Sequence, residues 1–221
     1  MMYLFITVTI LLALVCFNYK LLFYTEAFQI TKTETIVLLG DSILKNNSYV
    51  TKGVDERMRG ETDCNVVSLA QDNTTIGHTY KQIDEIPDNL NDDSTVLVLS
   101  VGGNDIIEDY INGPYDADEE HIHLNRIFDS YKLLMKALLT KMDKSRLYVL
   151  DIYYPTNNQY KEFYPLIKGW NDMQSKYADT MNVRLVEISE SLTKPQDFAF
   201  DIEPSDKGGQ KIVDAILSSV K

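Results

Sequence analysis

The sequence predicts an α/β fold in which a five-stranded parallel sheet is covered by helices on both faces. Two observations carry this expectation. Short apolar runs rich in Val, Ile and Leu recur without polar alternation, and the first three end in polar turns containing Gly or Asn. Strands with no polar face are buried on both sides, the condition of a parallel sheet. Between the runs lie segments whose apolar residues repeat at helical spacing, and strand and helix alternate five times. That is the pattern of successive right-handed crossovers.

The 221 residues suit one domain plus an extension. The extension is residues 1–27. Met2 to Cys16 is almost wholly apolar, and after Phe17-Asn18-Tyr19-Lys20 the run resumes with Leu21-Leu22-Phe23-Tyr24. Met2 to Tyr24 thus reaches the roughly 20 residues a membrane-spanning helix needs, with Lys20 able to snorkel to the interface. An uncleaved single-pass anchor and a cleaved signal peptide both fit. No basic residue precedes the apolar run, which favours the anchor and a membrane location. Thr25-Glu26-Ala27 offers a cleavage site for the alternative, secretion. The flanking charge is too sparse to orient the segment.

Residues 28–221 form the globular part. A polar linker, Phe28 to Glu34, leads into the first strand, Thr35-Ile36-Val37-Leu38-Leu39, which ends in Gly40-Asp41-Ser42. A helix is expected to follow Ser42, and Val54 to Arg59 reads as a further short helix. Asn65 to Ala70 is the second strand and runs into Gln71-Asp72-Asn73-Thr74-Thr75. The next helix extends to Ile86, closed by Pro87. Thr95 to Val101 is the third strand and ends in Gly102-Gly103-Asn104-Asp105. Glu108 to Glu120 reads as an acidic loop. Leu124, Ile127, Phe128, Tyr131, Leu134, Met135, Leu138 and Met142 then mark the clearest amphipathic helix. Arg146 to Ile152 is the fourth strand, broken by Tyr153-Tyr154-Pro155. A helix starts near Pro165, a good first-turn residue, and Val183 to Ile188 is the fifth strand. The last helix runs from Asp206 to Val220, with Ser205 as its cap.

Composition narrows the partners. The formal net charge of −12 repels nucleic-acid phosphates, so no nucleic acid is expected. The two cysteines, Cys16 and Cys64, lie in the apolar segment and the globular part and cannot staple the domain. His121 and His123 stand beside Asp116, Asp118, Glu119 and Glu120 without further ligand spacing, so neither a metal nor any other cofactor is expected.

The chemistry converges on one sheet edge. Ser42, Asn73 and Asn104 follow the first three strands, and ligands of open α/β sheets bind outside the carboxyl ends of strands. A hydroxyl exposed on a turn is a candidate nucleophile. The Asn104 side chain and a backbone N–H near Asn73 are candidate oxyanion donors.

Gly40-Asp41-Ser42, Gly102-Gly103-Asn104-Asp105 and Asp201-Ile202-Glu203-Pro204-Ser205 together resemble the GDSL/SGNH hydrolases, over residues 35 to 220. The resemblance implies a flavodoxin-like three-layer α/β/α fold and an esterase, lipase or carbohydrate deacetylase activity. It implies Ser42 as nucleophile and an oxyanion hole formed by the Ser42 N–H and Asn104. Two positions depart from the family pattern. Asn73 stands where a glycine supplies a further N–H, and asparagine tolerates unusual backbone conformations. Glu203 stands where the catalytic histidine is expected, Phe200 where its aspartate is expected, and Asp201 lies one residue away. A free glutamate is a weak base, but burial and the neighbouring Asp41, Asp105 and Asp201 would raise its pKa.

The expectation is a serine hydrolase acting on an ester or O-acetyl group of a small molecule, lipid or glycan, with Glu203 as base, assisted or positioned by Asp201. The alternative is the same fold as an inactive binding module for glycan, lipid or protein. A flavin or nucleotide binder would need a fuller phosphate-cradling glycine loop. Among the aromatic residues, Tyr153, Tyr154, Tyr160, Phe163 and Tyr164 cluster after the fourth strand and offer stacking surface or core.

Overall fold

The computed structural model describes residues 32–112, 120–181 and 183–220. The expected N-terminal anchor lies outside them, and among the described residues no helix is long and apolar enough to cross a membrane. In chain order the elements are β1 (Thr35–Gly40), α1 (Val54–Glu61), β2 (Asn65–Ser68), α2 (Ile76–Glu85) and β3 (Thr95–Ser100). There follow α3 (Gly103–Asn112), α4 (Glu120–Lys141), β4 (Arg146–Leu150), α5 (Tyr164–Met181) and β5 (Arg184–Val186). A two-stranded hairpin, β6 (Phe198–Ala199) with β7 (Glu203–Pro204), precedes α6 (Asp206–Ser219).

The five long-range strands form one parallel sheet in the order β2-β1-β3-β4-β5. Every residue of β1 and β3 is buried, which is why both read as unbroken apolar runs. Alternate residues feed two cores. Val37, Leu39, Leu97, Leu99 and Val149 pack with residues of α2, α4 and α5 on one face. Ile36, Leu38, Val96, Val98 and Leu150 pack with α1 and α6 on the other. The result is the expected three-layer α/β/α arrangement.

Two stretches differ from expectation. No helix follows Ser42: the chain makes a single turn, with Leu44 N–H and Lys45 N–H donating to the Asp41 carbonyl. Buried Asn46 then ties the loop down, its amide donating to the Pro204 carbonyl and its oxygen accepting from Val54 N–H. The chain is thereby held in a loop until α1. Residues 108–112, expected in the acidic loop, instead belong to α3, which continues to Asn112. Ile106 is buried, and Ile107 and Tyr110 pack against the same core, while Glu108 is exposed and Asp109 pairs with His123 and Arg126 of α4.

Candidate active site

The strand order reverses between β1 and β3, and such a switch point opens a crevice at the carboxyl edge. Parallel register pairs Gly40 with Ser100 there, so the turns carrying Ser42 and Asn104 lie side by side. Both turns depend on glycine. Gly40 has φ +116°, and a Cβ on it would sit 1.7 Å from the Ser100 carbonyl oxygen. Gly102 has φ +111°, and its Cβ would meet the Trp170 ring at 2.3 Å. Buried Gln82 of α2 locks the first turn, accepting from Gly40 N–H at 2.6 Å and donating to the Gly40 carbonyl at 3.0 Å. Nothing in the local pattern of α2 marked this glutamine.

The Ser42 hydroxyl donates to Glu203 Oε1 at 3.3 Å. Glu203 begins β7, and its backbone is gripped on both sides. Tyr153 donates its hydroxyl to the Ile202 carbonyl at 2.7 Å, and Asn46 donates to the Pro204 carbonyl at 2.8 Å. The Glu203 Oε2 atom is buried and has no hydrogen-bond partner. Burial raises the Glu203 pKa most, the Ser42 hydrogen bond lowers it, and the charge of Asp72 raises it.

The other expected residues are placed as follows. Asn104 Nδ2 donates to the Thr74 carbonyl at 2.9 Å. An amide nitrogen carries two donors, and Asn104 lines the pocket beside Ser42. Asn73 adopts φ +56°, the left-handed conformation a glycine would take. Its N–H donates to Asp72 Oδ1 at 2.9 Å, and its side chain lines a neighbouring cleft with His78 and Lys81. The Asp201 carboxylate is turned away from Glu203, accepting from Asn157 at 2.7 Å and from Gln159 at 3.4 Å. Asp105 caps α2, both its oxygens accepting from Ile76 N–H, and burial pushes its carboxyl up to about 6. Of the histidines, His78 lies beside Thr75 and His123 pairs with Asp109.

Behind Ser42, Asn104 and Glu203 lies an apolar pocket of ≈ 60 Å³. Ile106, Ile107, Ile152, Tyr160, Phe163 and Ile167 form its walls. Tyr153, Tyr160 and Phe163 thus belong to the pocket, whereas Tyr154 and Tyr164 meet edge to face with centroids 5.1 Å apart.

Asp41 is a buried carboxyl in the lining of the same pocket. It accepts from Ser100 Oγ at 2.8 Å and from Ile43 N–H at 3.1 Å, yet burial pushes its carboxyl up to about 7. The folded state therefore holds this proton more tightly than the unfolded chain. Its contribution to stability is fully present below the ordinary carboxylate range and is lost as pH rises to about 7. Asp41→Asn removes that fall. Relative to the native chain, the variant is expected to gain on the order of 2–4 kcal/mol between pH 4 and pH 8, at about 1.4 kcal/mol per pKa unit. Chemical denaturation at both pH values measures the change. An unchanged difference between the two proteins would refute a neutral Asp41.

Against known proteins, no family model and no curated sequence matches this chain. Solved structures do match. A lipolytic protein of the G-D-S-L family from Veillonella parvula aligns over 84% of this chain and 97% of its own, with 15% identity and a TM-score of 0.67. An acetylxylan esterase from Geobacillus stearothermophilus aligns over 87% and 96%, with 17% identity and a TM-score of 0.65. A GDSL-like lipase from Bacteroides thetaiotaomicron aligns over 85% and 87%, with 16% identity and a TM-score of 0.58. The chain has the three-layer fold of the GDSL/SGNH hydrolases, and at these identities the likeness is one of fold.

Proposed function

We propose that this chain is a serine ester hydrolase acting on short acyl or O-acetyl esters, with Ser42 as nucleophile and Glu203 as general base. The observation that carries the reading is the hydrogen bond from Ser42 Oγ to Glu203 at the polar end of an apolar pocket. Ser42 Oγ attacks the acyl carbonyl as its proton passes to Glu203. The raised pKa of Glu203 moves it in the direction a base at neutral pH needs. The oxyanion is held by the Ser42 N–H and the second N–H of Asn104. The Asn73 N–H is a third donor once Asp72 releases it. Glu203 returns the proton to the departing alcohol, and water then cleaves the acyl-enzyme by the same route in reverse.

The test is hydrolysis of p-nitrophenyl acetate by the full-length chain and by Ser42→Ala. Loss of turnover in the variant supports the reading. Equal turnover overturns it, and ligand binding without turnover in either protein would point to a binding module instead.

Pocket size sets a second expectation. An engineered apolar cavity of about 150 Å³ admits benzene, so ≈ 60 Å³ suits only a few carbons. Rates are expected to fall at least tenfold from butyrate to octanoate esters, a modest demand given that one methylene alone can be worth about 10-fold or more. Phe163→Ala, which opens the pocket wall, should recover much of that loss. A flat chain-length profile in the native enzyme would rule out this pocket as the acyl site. We further propose that residues 2–24 tether the domain to a membrane. Resistance to alkaline carbonate extraction, with release by detergent, checks this.

A further inference from the structure

The turn that leads into Glu203 presents an aromatic side chain to solvent. Phe200 is 72% exposed, the most exposed of the large apolar residues described. It has φ +48°, and Asp201 after it has φ +70°. A bulky residue in this region is strained, and a pair in succession marks a turn normally given to Asn and Gly. The fold nevertheless holds Phe200 there: Asn157 and Gln159 bind Asp201, and Tyr153 binds the Ile202 carbonyl. Tyr49 faces Phe200 with ring centroids 5.9 Å apart. The Tyr49 hydroxyl donates to Asp72 Oδ2 at 2.6 Å and is pushed up to about 12, chiefly by that bond, with Glu203 adding to the shift. Phe200 lies in the turn of the hairpin that carries Glu203, Tyr49 packs against it, and neither ring lines the apolar pocket.

Apart from tyrosine, the ionisable groups lining the pocket are the carboxyls of Asp41 and Glu203. The charges that raise Asp41 are Glu203 and Asp105, and the charge that raises Glu203 is Asp72. No lysine, arginine or histidine lines the pocket. His78 and Lys81 line a separate cleft with Asp72 and Asn73, and Lys45, three residues after Ser42, is engaged by buried Asp55. With the acyl group in the apolar pocket, the alcohol of a bound ester has to lie outside it, where neither ring is part of the lining.

We propose that Phe200 and Tyr49 form the leaving-group subsite and that the alcohol they receive is cationic, carrying a quaternary ammonium. The inference rests on the Ser42 hydrolase reading for its chemistry. The acyl–oxygen bond of the ester breaks as the Ser42 Oγ–acyl bond forms. The Ser42 proton reaches the alcohol oxygen through Glu203, and water later releases the acid. The cation takes no part in bond changes. It sits over the ring faces, an attraction that aromatic quadrupoles supply, in a field that steers positive charge to the site.

The experiment compares a cation with its neutral isostere of the same shape. Binding of choline and of 3,3-dimethylbutan-1-ol is measured on the full-length Ser42→Ala chain by titration calorimetry, so the result does not depend on turnover. Choline is expected to bind about 3- to 30-fold more tightly. Phe200→Ala should bring the two alcohols to within about twofold, and Phe200→Trp should restore the preference. Acetylcholine against 3,3-dimethylbutyl acetate on the native chain should show the same ratio in kcat/KM, shrinking with added salt. Equal or tighter binding of the neutral alcohol overturns the proposal, as does a preference that survives Phe200→Ala. If the choline preference holds while p-nitrophenyl acetate is not turned over, the hydrolase reading fails and the cation site stands.

Discussion

Replacing Glu203 by glutamine is expected to lower kcat for a short-chain ester by about 10²–10⁴-fold, the usual worth of a positioned general base. KM should change little. Glutamine keeps the shape of the side chain and an oxygen that can accept from the Ser42 hydroxyl, as Oε1 does at 3.3 Å. What it loses is the ability to take the proton. The comparison therefore separates holding Ser42 from activating it. In the native protein the rate should rise with pH as Glu203 ionises, over a range above that of an ordinary glutamate, because burial and Asp72 both raise its pKa. Asp72→Asn removes the second cause and should move the rise to lower pH while leaving its shape intact. In Glu203→Gln the rise itself should vanish. If Glu203→Gln keeps native kcat and the native pH profile, some other group is the base. His78 would then be tested first, since it lines the cleft that also holds Asn73.

The parts of this site carried by strands were legible in the sequence. An apolar run ending in Gly40-Asp41-Ser42 has little choice but a buried strand and an exposed turn, and β1 places Ser42 at the sheet edge accordingly. The same holds for Asn104 after β3. Side-chain ties between distant segments left no such trace. The loop after Ser42 is shaped by Asn46 reaching Pro204, 158 residues away. Asp201 was expected to assist or position Glu203 because it lies one residue from where the resemblance places an aspartate, but with φ positive at Phe200 and Asp201 its carboxylate accepts from Asn157. The hairpin holding Glu203 has strands of two residues each, too short for any periodicity to reveal. Residues 108–112 read as loop because they open the acid-rich stretch Glu108 to Glu120, which contains Gly113-Pro114. Ile106 and Tyr110, spaced one helical turn apart, were the contrary signal.

Asn104→Ala is expected to lower kcat by about 10²–10³-fold, the cost of removing one oxyanion donor, with KM near native. The difficulty is that Asn104 also does structural duty. Its amide donates to the Thr74 carbonyl, tying the β3–α3 turn to the segment ahead of α2. Loss of that bond should cost about 1 kcal/mol of stability, far too little to explain a hundredfold fall in a folded enzyme. Asn104→Asp separates the two roles. It is isosteric but donates nothing, and it sets a carboxylate against both the Thr74 carbonyl and the developing oxyanion. It should therefore melt earlier than Asn104→Ala and be at least as slow. Asn73→Gly is the complementary control. At φ +56° glycine is at ease, and the backbone N–H remains. This variant should keep kcat within a few-fold of native if Asn73 acts through its backbone. A native kcat in Asn104→Ala would sink the oxyanion assignment. A hundredfold loss in Asn73→Gly would instead move the essential donor to the Asn73 side chain.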